Sequence, residues 1–114
     1  MENIKTMTEI FKALSDPNKL RIVLMLLERK MCVCEINEIL DISLSTISAH
    51  LKTLKYARII EDSKDGRWVE YKLVDDEELV RFIRNIYEKL KDDPLVIKDR
   101  VILSNITRES CVSK

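Results

Sequence analysis

The apolar residues at the start of the chain recur at helical spacing. Four of them lie three or four residues apart: Ile4, Met7, Phe11 and Leu14. This spacing predicts an amphipathic helix over residues 3–14. Asp16 is a favourable N-cap residue and Pro17 suits a first helical position, where its missing N–H costs nothing. A second helix is therefore predicted from residue 17 to about residue 29.

A shorter periodic segment follows, from Cys32 to Leu40, and ends in the tight break Asp41-Ile42-Ser43. Ser43 can cap a further helix, whose inward side consists of Ile47, Leu51 and Leu54. Two short helices joined by about three residues, with small polar and basic side chains on the second, are typical of a helix-turn-helix. We place this motif at about residues 32–56.

The pattern then changes to a period of two. Asp65-Gly66 is a strong hairpin signal because tight hairpin turns need a positive φ. After it, Val69, Tyr71 and Leu73 alternate with more polar residues, as in a half-buried strand. A hairpin at about residues 58–74, directly after a helix-turn-helix, predicts the wing of a winged helix.

The C-terminal part is predicted to be helical again. A long amphipathic helix is expected at about residues 76–92. In the short C-terminal tail, residues 94–114, the stretch from Leu95 to Ile106 is apolar enough for a further short helix. The chain is thus one domain, residues 1–114, mainly α with a small β-hairpin. The apolar stripes of helices 3–14 and 76–92 exceed what so small a core covers, which favours a homodimer formed through these outer helices. A two-fold dimer also predicts a palindromic operator of double-stranded DNA.

Composition limits the possible functions. The 114 residues carry 20 basic and 20 acidic side chains, so any affinity for DNA must come from a local basic face. No run of about 18 apolar residues predicts a membrane span, and the N-terminus lacks a signal-peptide core. Three cysteines without such a signal favour a cytoplasmic protein with reduced thiols. One histidine and one glycine give little support for an enzyme or a phosphate-binding loop, and we expect no organic cofactor.

The side of the second motif helix opposite its apolar residues is the expected DNA-reading face. Short hydroxyl side chains can approach base edges or phosphates, and lysines supply charge. The candidate DNA contacts, including two at the wing tip, are Ser45, Thr46, Ser48, His50, Lys52, Lys55, Lys64 and Arg67. For His50 two readings stay open, a phosphate contact or a hydrogen bond within the domain. Trp68 is expected to pack in the wing.

Cys32 and Cys34 stand close together at the start of a predicted helix. Residues two apart on a regular helix point about 200° from each other, so both cannot bind one ion unless the first turn is unwound. A helix N-terminus is expected to lower a thiol pKa, and thiolates select soft ions. Cys111 is the sole further cysteine, and the spacing does not decide whether it joins the pair.

Four stretches together resemble the ArsR/SmtB family of metal-responsive winged-helix repressors: KALSDPNKLRIVLML, MCVCEI, DISLSTISAHLKTL and KDGRWVEYKL. The resemblance implies a homodimer that represses its operator and releases it when an effector binds. Leu44-Ser45 replace a Gln-Pro pair common in the family, which shifts the expected base contacts to Ser45, Thr46 and Ser48. An Asp/His zinc site on the last helix has no counterpart, because the single histidine is His50.

The resemblance also bears on the effector. A Cys-Val-Cys at this place resembles the site for arsenite or antimonite in some members and part of a cadmium or lead site in others. The cadmium and lead type adds cysteines from an N-terminal extension, which this sequence lacks. The predicted ligands are Cys32 and Cys34, with Cys111 as the candidate third. Two alternatives stay open: thiol-redox sensing with Cys111 as the resolving partner, and an inert pair of small packed residues.

Overall fold

The structure is a computed structural model that describes residues 2–112, without the side chain of Val112. Seven helices and three strands occur in it. In chain order they are α1 Ile4–Leu14, α2 Pro17–Glu28, β1 Met31–Cys32, α3 Val33–Leu40, α4 Leu44–Tyr56, β2 Ile60–Asp65, β3 Trp68–Leu73, α5 Glu77–Leu90, α6 Pro94–Leu103 and α7 Arg108–Val112. This is a winged helix-turn-helix, so the predicted mainly α fold class with a small β-hairpin is confirmed.

Local sequence sets most of the helix starts. Five helices begin after an Asn, Asp or Ser whose side-chain oxygen accepts a hydrogen bond from a backbone N–H of the first turn. These N-caps are Asn3, Asp16, Ser43, Asp76 and Asp93. Helix α3 ends at Asp41, whose φ of 53° lies in the left-handed region. This residue lets the chain turn abruptly into α4, the predicted recognition helix.

The sheet has one strand more than the predicted hairpin. Strand β3 lies in the middle, with β2 and the two-residue strand β1 antiparallel on either side. Asp65 and Trp68 form the last residue pair of the β2–β3 hairpin. Gly66, with φ 63°, is the first of the two loop residues between them, a position where glycine is favoured. β1 was not predicted, because two residues are too few to show a period.

The faces of β3 differ from the predicted alternation. Glu70 is buried at 7% exposure, whereas Val69 remains 39% exposed. Glu70 faces β1 and pairs with Lys30 (3.4 Å) and Arg108 (3.3 Å), so its charge is compensated. Ion pairing has therefore overridden the apolar preference at these two positions.

Helix α6 docks on α2 through two arginines as well as through its buried apolar residues Val96 and Leu103. Arg21 donates two hydrogen bonds of 2.9 Å to Asp99, which is 2% exposed, and the pair fixes α6 bidentately. Arg100 donates to the Leu24 carbonyl at 3.1 Å and stacks on Tyr87 at 4.2 Å. The tail is thus folded back against the core instead of trailing from α5.

Two outer helices keep apolar surface exposed. On α1, Ile10 and Ala13 are buried, but Ile4 is 86% and Phe11 55% exposed. Phe11 meets Phe82 of α5 edge-on, with ring centroids 6.3 Å apart. The two helices therefore present a shared, partly uncovered apolar surface.

Candidate thiol site and nucleic-acid interface

The structure brings all three cysteines together. Cys34 and Cys111 form a disulfide with a Cα–Cα distance of 6.0 Å, although 77 residues separate them in the chain. The sulfur of Cys32 lies 3.1 Å from that of Cys34. All three sulfur atoms lie within 4.8 Å of one another. We call these residues the thiol cluster.

Cys32 joins its neighbour because it lies outside the regular helix. It ends β1 and is the N-cap of α3, with φ −88° and ψ 168°, so its side chain does not follow the helical 100° step. Cys34 is in the first turn. The two thiols were expected to meet only if the first turn of the helix is not regular. Cys32 meets this condition, because it is an N-cap residue with an extended backbone.

A buried carboxylate holds this turn in place. Glu35, 2% exposed, accepts a hydrogen bond from the Cys32 N–H at 3.0 Å, which is half of a capping box. Arg29 compensates its charge at 2.8 Å and also donates to the Leu103 and Ile106 carbonyls. Sequence reasoning missed Glu35, although a Glu three residues after an N-cap is a recognisable signal.

The pKa of the Cys32 thiol differs from the value expected at a helix N-terminus. Burial raises the pKa of Cys32, the nearby Glu35 carboxylate adds to the rise, and the Glu35 backbone N–H opposes it. The predicted lowering is wrong for this residue, because a thiol that is 4% exposed loses more solvation as a thiolate than the helix N-terminus returns. Cys32 is the one cysteine outside the disulfide.

Arg108, on the short helix α7, connects this cluster to the wing. Its carbonyl oxygen lies 3.4 Å from the Cys111 sulfur and 3.9 Å from the Cys34 sulfur. Its guanidinium pairs with Asp65 at 3.0 Å and Glu70 at 3.3 Å. Nothing in the spacing of the sequence indicated this residue, since α7 gains its place through long-range contacts.

The recognition helix α4 presents the predicted polar side to solvent. Ile47, Leu51 and Leu54 are buried, and the opposite side exposes Ser45, Thr46, Ser48, Lys52 and Lys55. Ser43 links the hydroxyls at the helix start, lying 2.7 Å from the Thr46 hydroxyl and 3.2 Å from that of Ser45. Lys55 is paired with Asp62 at 2.9 Å, so a phosphate would compete with that carboxylate.

His50 is the least accessible of the candidate DNA contacts. Its side chain is 16% exposed, and Nε2 lies 3.8 Å from the Asp16 carboxylate, at the N-cap of α2. At 3.8 Å this contact is too long for a hydrogen bond, so both sequence readings of His50 stay predictions. A phosphate contact by His50 would require the ring to turn from Asp16, and it stays a prediction.

The wing tip combines both charges. Lys64 and Arg67 are exposed there, and Arg67 stacks on Trp68 at 5.2 Å. Asp65, also exposed, pairs with Arg108. Trp68 is only half-buried, and two guanidinium groups, those of Arg67 and Arg108, each lie 5.2 Å from its ring centre in cation–π contact.

Among residues 2–112, no helix is both long and apolar enough to cross a bilayer.

Comparisons with known proteins place the chain. Residues 16–62 match the model of the bacterial regulatory protein, arsR family. An uncharacterized HTH-type transcriptional regulator of Methanocaldococcus jannaschii is 42% identical over 86 residues, which span 73% of this chain and 97% of that protein. The arsenical resistance operon repressor of Bacillus subtilis is 39% identical over 67% of this chain and 73% of its own length.

A cadmium resistance regulator and a solved structure also match this chain. The cadmium resistance regulatory protein CadC of Listeria innocua is 43% identical, but this chain matches only 56% of its length. Among solved structures, HlyU from Vibrio cholerae superposes with a TM-score of 0.73 at 26% identity and covers 81% of this chain and all of HlyU. Fold, motif order and sequence identity agree: the chain belongs to the ArsR/SmtB family of DNA-binding winged-helix transcriptional repressors.

Proposed function

We propose that this protein is a homodimeric repressor that releases its operator when a thiophilic ion binds the reduced thiol cluster. Trivalent arsenic or antimony is the first candidate effector, and cadmium or lead are the alternatives. The observation that carries the proposal is the convergence of Cys32, Cys34 and Cys111 to within 4.8 Å at the start of α3, the helix that precedes the recognition helix. The repressor would act in the cytoplasm, where it has access to chromosomal DNA.

The donor atoms suit such an ion. Thiolates prefer soft, thiophilic ions over magnesium or calcium. Two sulfurs that each lie about 2.3 Å from one ion are at most about 4.6 Å apart. The three sulfurs, which lie within 4.8 Å of one another, would therefore need only a small contraction to bind one ion. Binding by all three residues requires that the Cys34–Cys111 disulfide first be reduced. Arsenite, As(OH)3, would take up the three thiol protons with its hydroxides as three waters, whereas cadmium or lead would release the protons to solution. Tighter binding at higher pH is therefore expected for cadmium or lead only.

The position of the cluster supports coupling to DNA. Helix α3 packs against α4 and joins it through residues 41–43, a turn held by the Asn37 amide, which donates to the Ile42 carbonyl at 2.7 Å. A change at the first turn of α3 thus has a short, well-packed route to the recognition helix. In the proposal, ion binding moves α3 and so misaligns α4 against the major groove.

The DNA interface in this proposal is the exposed side of α4 together with the wing. The contacts would be Ser45, Thr46, Ser48, Lys52 and Lys55 on the helix, Lys64 and Arg67 on the wing, and His50 at the edge. The uncovered apolar surface of α1 and α5 would form the two-fold interface. A two-fold dimer would present two recognition helices to a palindromic operator of double-stranded DNA.

The test is fluorescence anisotropy of labelled upstream DNA with protein reduced by a phosphine, which offers no thiol to compete for arsenite. We expect arsenite to release the DNA at about one equivalent per subunit, as one three-thiolate site implies. Cys34→Ser should bind DNA but fail to respond. Cys111→Ser should respond only at higher arsenite, because it keeps the Cys32 and Cys34 sulfurs, 3.1 Å apart, at the start of α3. Unchanged anisotropy of the wild type would reject arsenite, and cadmium and lead would then be titrated in the same way.

A second candidate function rests on the disulfide itself. Cys34 and Cys111 are joined, and Cys32 lies in contact, which supports a thiol-redox repressor. A hydroperoxide would oxidise the Cys34 thiolate to a sulfenic acid and be reduced to the alcohol. The Cys111 thiol would then attack that sulfur, closing the disulfide and releasing water.

The two candidates separate experimentally. A redox repressor would change its DNA affinity on oxidation by hydroperoxide without any ion, and Cys32→Ser would keep that response. An ion sensor would respond to arsenite under strictly reducing conditions, and Cys32→Ser would weaken that response. Oxidation that closes the disulfide without changing DNA affinity would reject the redox candidate.

A further inference from the structure

Helix α7 has two anchors of different kinds. One is the Cys34–Cys111 disulfide, which ties it to α3. The other is Arg108, which ties it to the wing through Asp65 and Glu70. Five residues are too short to form a stable helix alone, so α7 keeps its place only while such contacts hold it.

Arg108 touches both regions at once. Its backbone oxygen is 3.4 Å from the Cys111 sulfur, while its guanidinium lies 5.2 Å from the centre of the Trp68 ring. When the Cys34–Cys111 disulfide is closed, it holds the Arg108 guanidinium close to Asp65 and Glu70, at a high effective concentration. When the disulfide is open, the same ion pairs must also offset the conformational entropy cost of ordering α7, so the ion-paired state is less populated.

Withdrawal of Arg108 would change the wing electrostatically. Asp65 would lose its 3.0 Å partner at the tip, next to Lys64 and Arg67. Glu70, at 7% exposure, would keep only Lys30 at 3.4 Å. A buried carboxylate with weaker compensation is costly, so the β3 segment around it would relax toward solvent.

We infer that Arg108 is a positioning residue that transmits the state of Cys34 and Cys111 to the wing. With the disulfide closed, Arg108 is held over Trp68 and against Asp65 and Glu70. Two electrons and two protons from a reductant convert the disulfide to two thiols, which frees α7 and loosens the wing. The inference rests on the proposed function only in assigning reactive chemistry to these thiols, and it is measurable without DNA.

Trp68 provides the readout, because it is the chain's only tryptophan. Intrinsic emission and acrylamide quenching are compared for the full chain before and after reduction by a phosphine, with opening of the disulfide verified by mass spectrometry. We expect reduction to shift the emission to the red and to increase quenching. In Arg108→Ala, the oxidised protein should already show the red-shifted emission, and reduction should add no further shift.

Arg67→Ala is the matched control. Arg67 also lies 5.2 Å from the Trp68 ring but has no link to the cysteines. This variant should alter the basal emission and keep the shift on reduction. Cys111→Ser, which cannot close the bond, should show the emission of the reduced wild type whether or not reductant is present.

Two outcomes would overturn the inference: a full reduction-dependent shift in Arg108→Ala, or no shift in wild-type protein whose disulfide has been opened. Failure of the repressor proposal is distinguishable. It would appear as unchanged DNA anisotropy with arsenite and with oxidant, while the Trp68 shift and its loss in Arg108→Ala would persist.

Discussion

At Cys32, burial and helix position act on the thiol in opposite directions, and burial prevails. We predict that in the oxidised protein, where Cys32 is the one free thiol, its alkylation by iodoacetamide is slow at neutral pH. The rate should rise with a midpoint above about 8.5, the ordinary cysteine value, because the pKa is raised. Quenched alkylation followed by mass spectrometry measures this.

The urea-unfolded chain is the control for Cys32, and it should titrate at the ordinary cysteine pKa. A folded-state midpoint at or below that of the unfolded chain would contradict the prediction. The linked effect on stability has a definite sign. The contribution of the Cys32 thiol to the free energy of unfolding is complete below the pKa of the unfolded state and is lost as pH rises toward the higher pKa of the folded state. In Cys32→Ser, this decrease of stability with pH should be absent.

Glu35 is the second residue whose role depends on burial. Glu35→Ala leaves the Cys32 N–H and Arg29 without their carboxylate. Glu35 is buried but Arg29 is partly exposed, so the cost in the free energy of unfolding should be about 2 kcal/mol, below that of a fully buried pair. Glu35→Gln keeps an acceptor for the N–H and should cost less. Glu88→Ala, which breaks an exposed pair with Lys91, should cost below about 1 kcal/mol. Urea denaturation of the reduced proteins measures all three, and equal losses for Glu35→Ala and Glu88→Ala would refute the argument.

At the scale of elements, the sequence predicted what local forces determine. Apolar periodicity and caps such as Asp16 and Ser43 indicated the helices, and Asp65-Gly66 indicated the hairpin. β1 and α7 were missed, because each is defined by distant partners and not by its own composition. The same reason hid the meeting of Cys111 with Cys34 across 77 residues. Burial of Glu70 and the raised pKa of Cys32 likewise depend on packing that a one-dimensional pattern does not contain.

The recognition helix allows a prediction that separates stability from DNA binding. Ser43 accepts a hydrogen bond from the Thr46 N–H at 3.2 Å, and Ser43→Ala should cost about 1 kcal/mol through loss of the N-cap. Ser43→Asp keeps the cap and favours the helix dipole, so the free energy of unfolding should be nearly unchanged. Its added negative charge should nevertheless weaken DNA binding. Urea denaturation and anisotropy measure the two effects, and equal DNA affinities for wild type and Ser43→Asp would place this turn away from the phosphates.

At the scale of the whole molecule, two exposed apolar faces compete as the interface of the proposed homodimer. One belongs to α1 and α5, where Phe11 is 55% exposed, and the other to α6, where Val101 is 56% exposed. Equal exposure makes the two a matched pair for substitution by lysine. Phe11 lies against Phe82 on a surface shared by two helices. On α6, Val101 lies one turn from the exposed Ile97 and is flanked by Lys98 and Arg100, so that apolar face belongs to one ten-residue helix.

We predict that Phe11→Lys dissociates the dimer and that Val101→Lys does not, because a charge buried at a two-fold interface appears twice and lacks a partner on either side. Sedimentation velocity at several protein concentrations measures the masses. Phe11→Lys should also weaken binding to a two-half-site operator far more than to a single half-site, because only the dimer engages both halves. A dimeric Phe11→Lys with a monomeric Val101→Lys would move the interface to α6. In a dimer formed through α6, the wings and Arg108 would lie at a different position relative to the DNA.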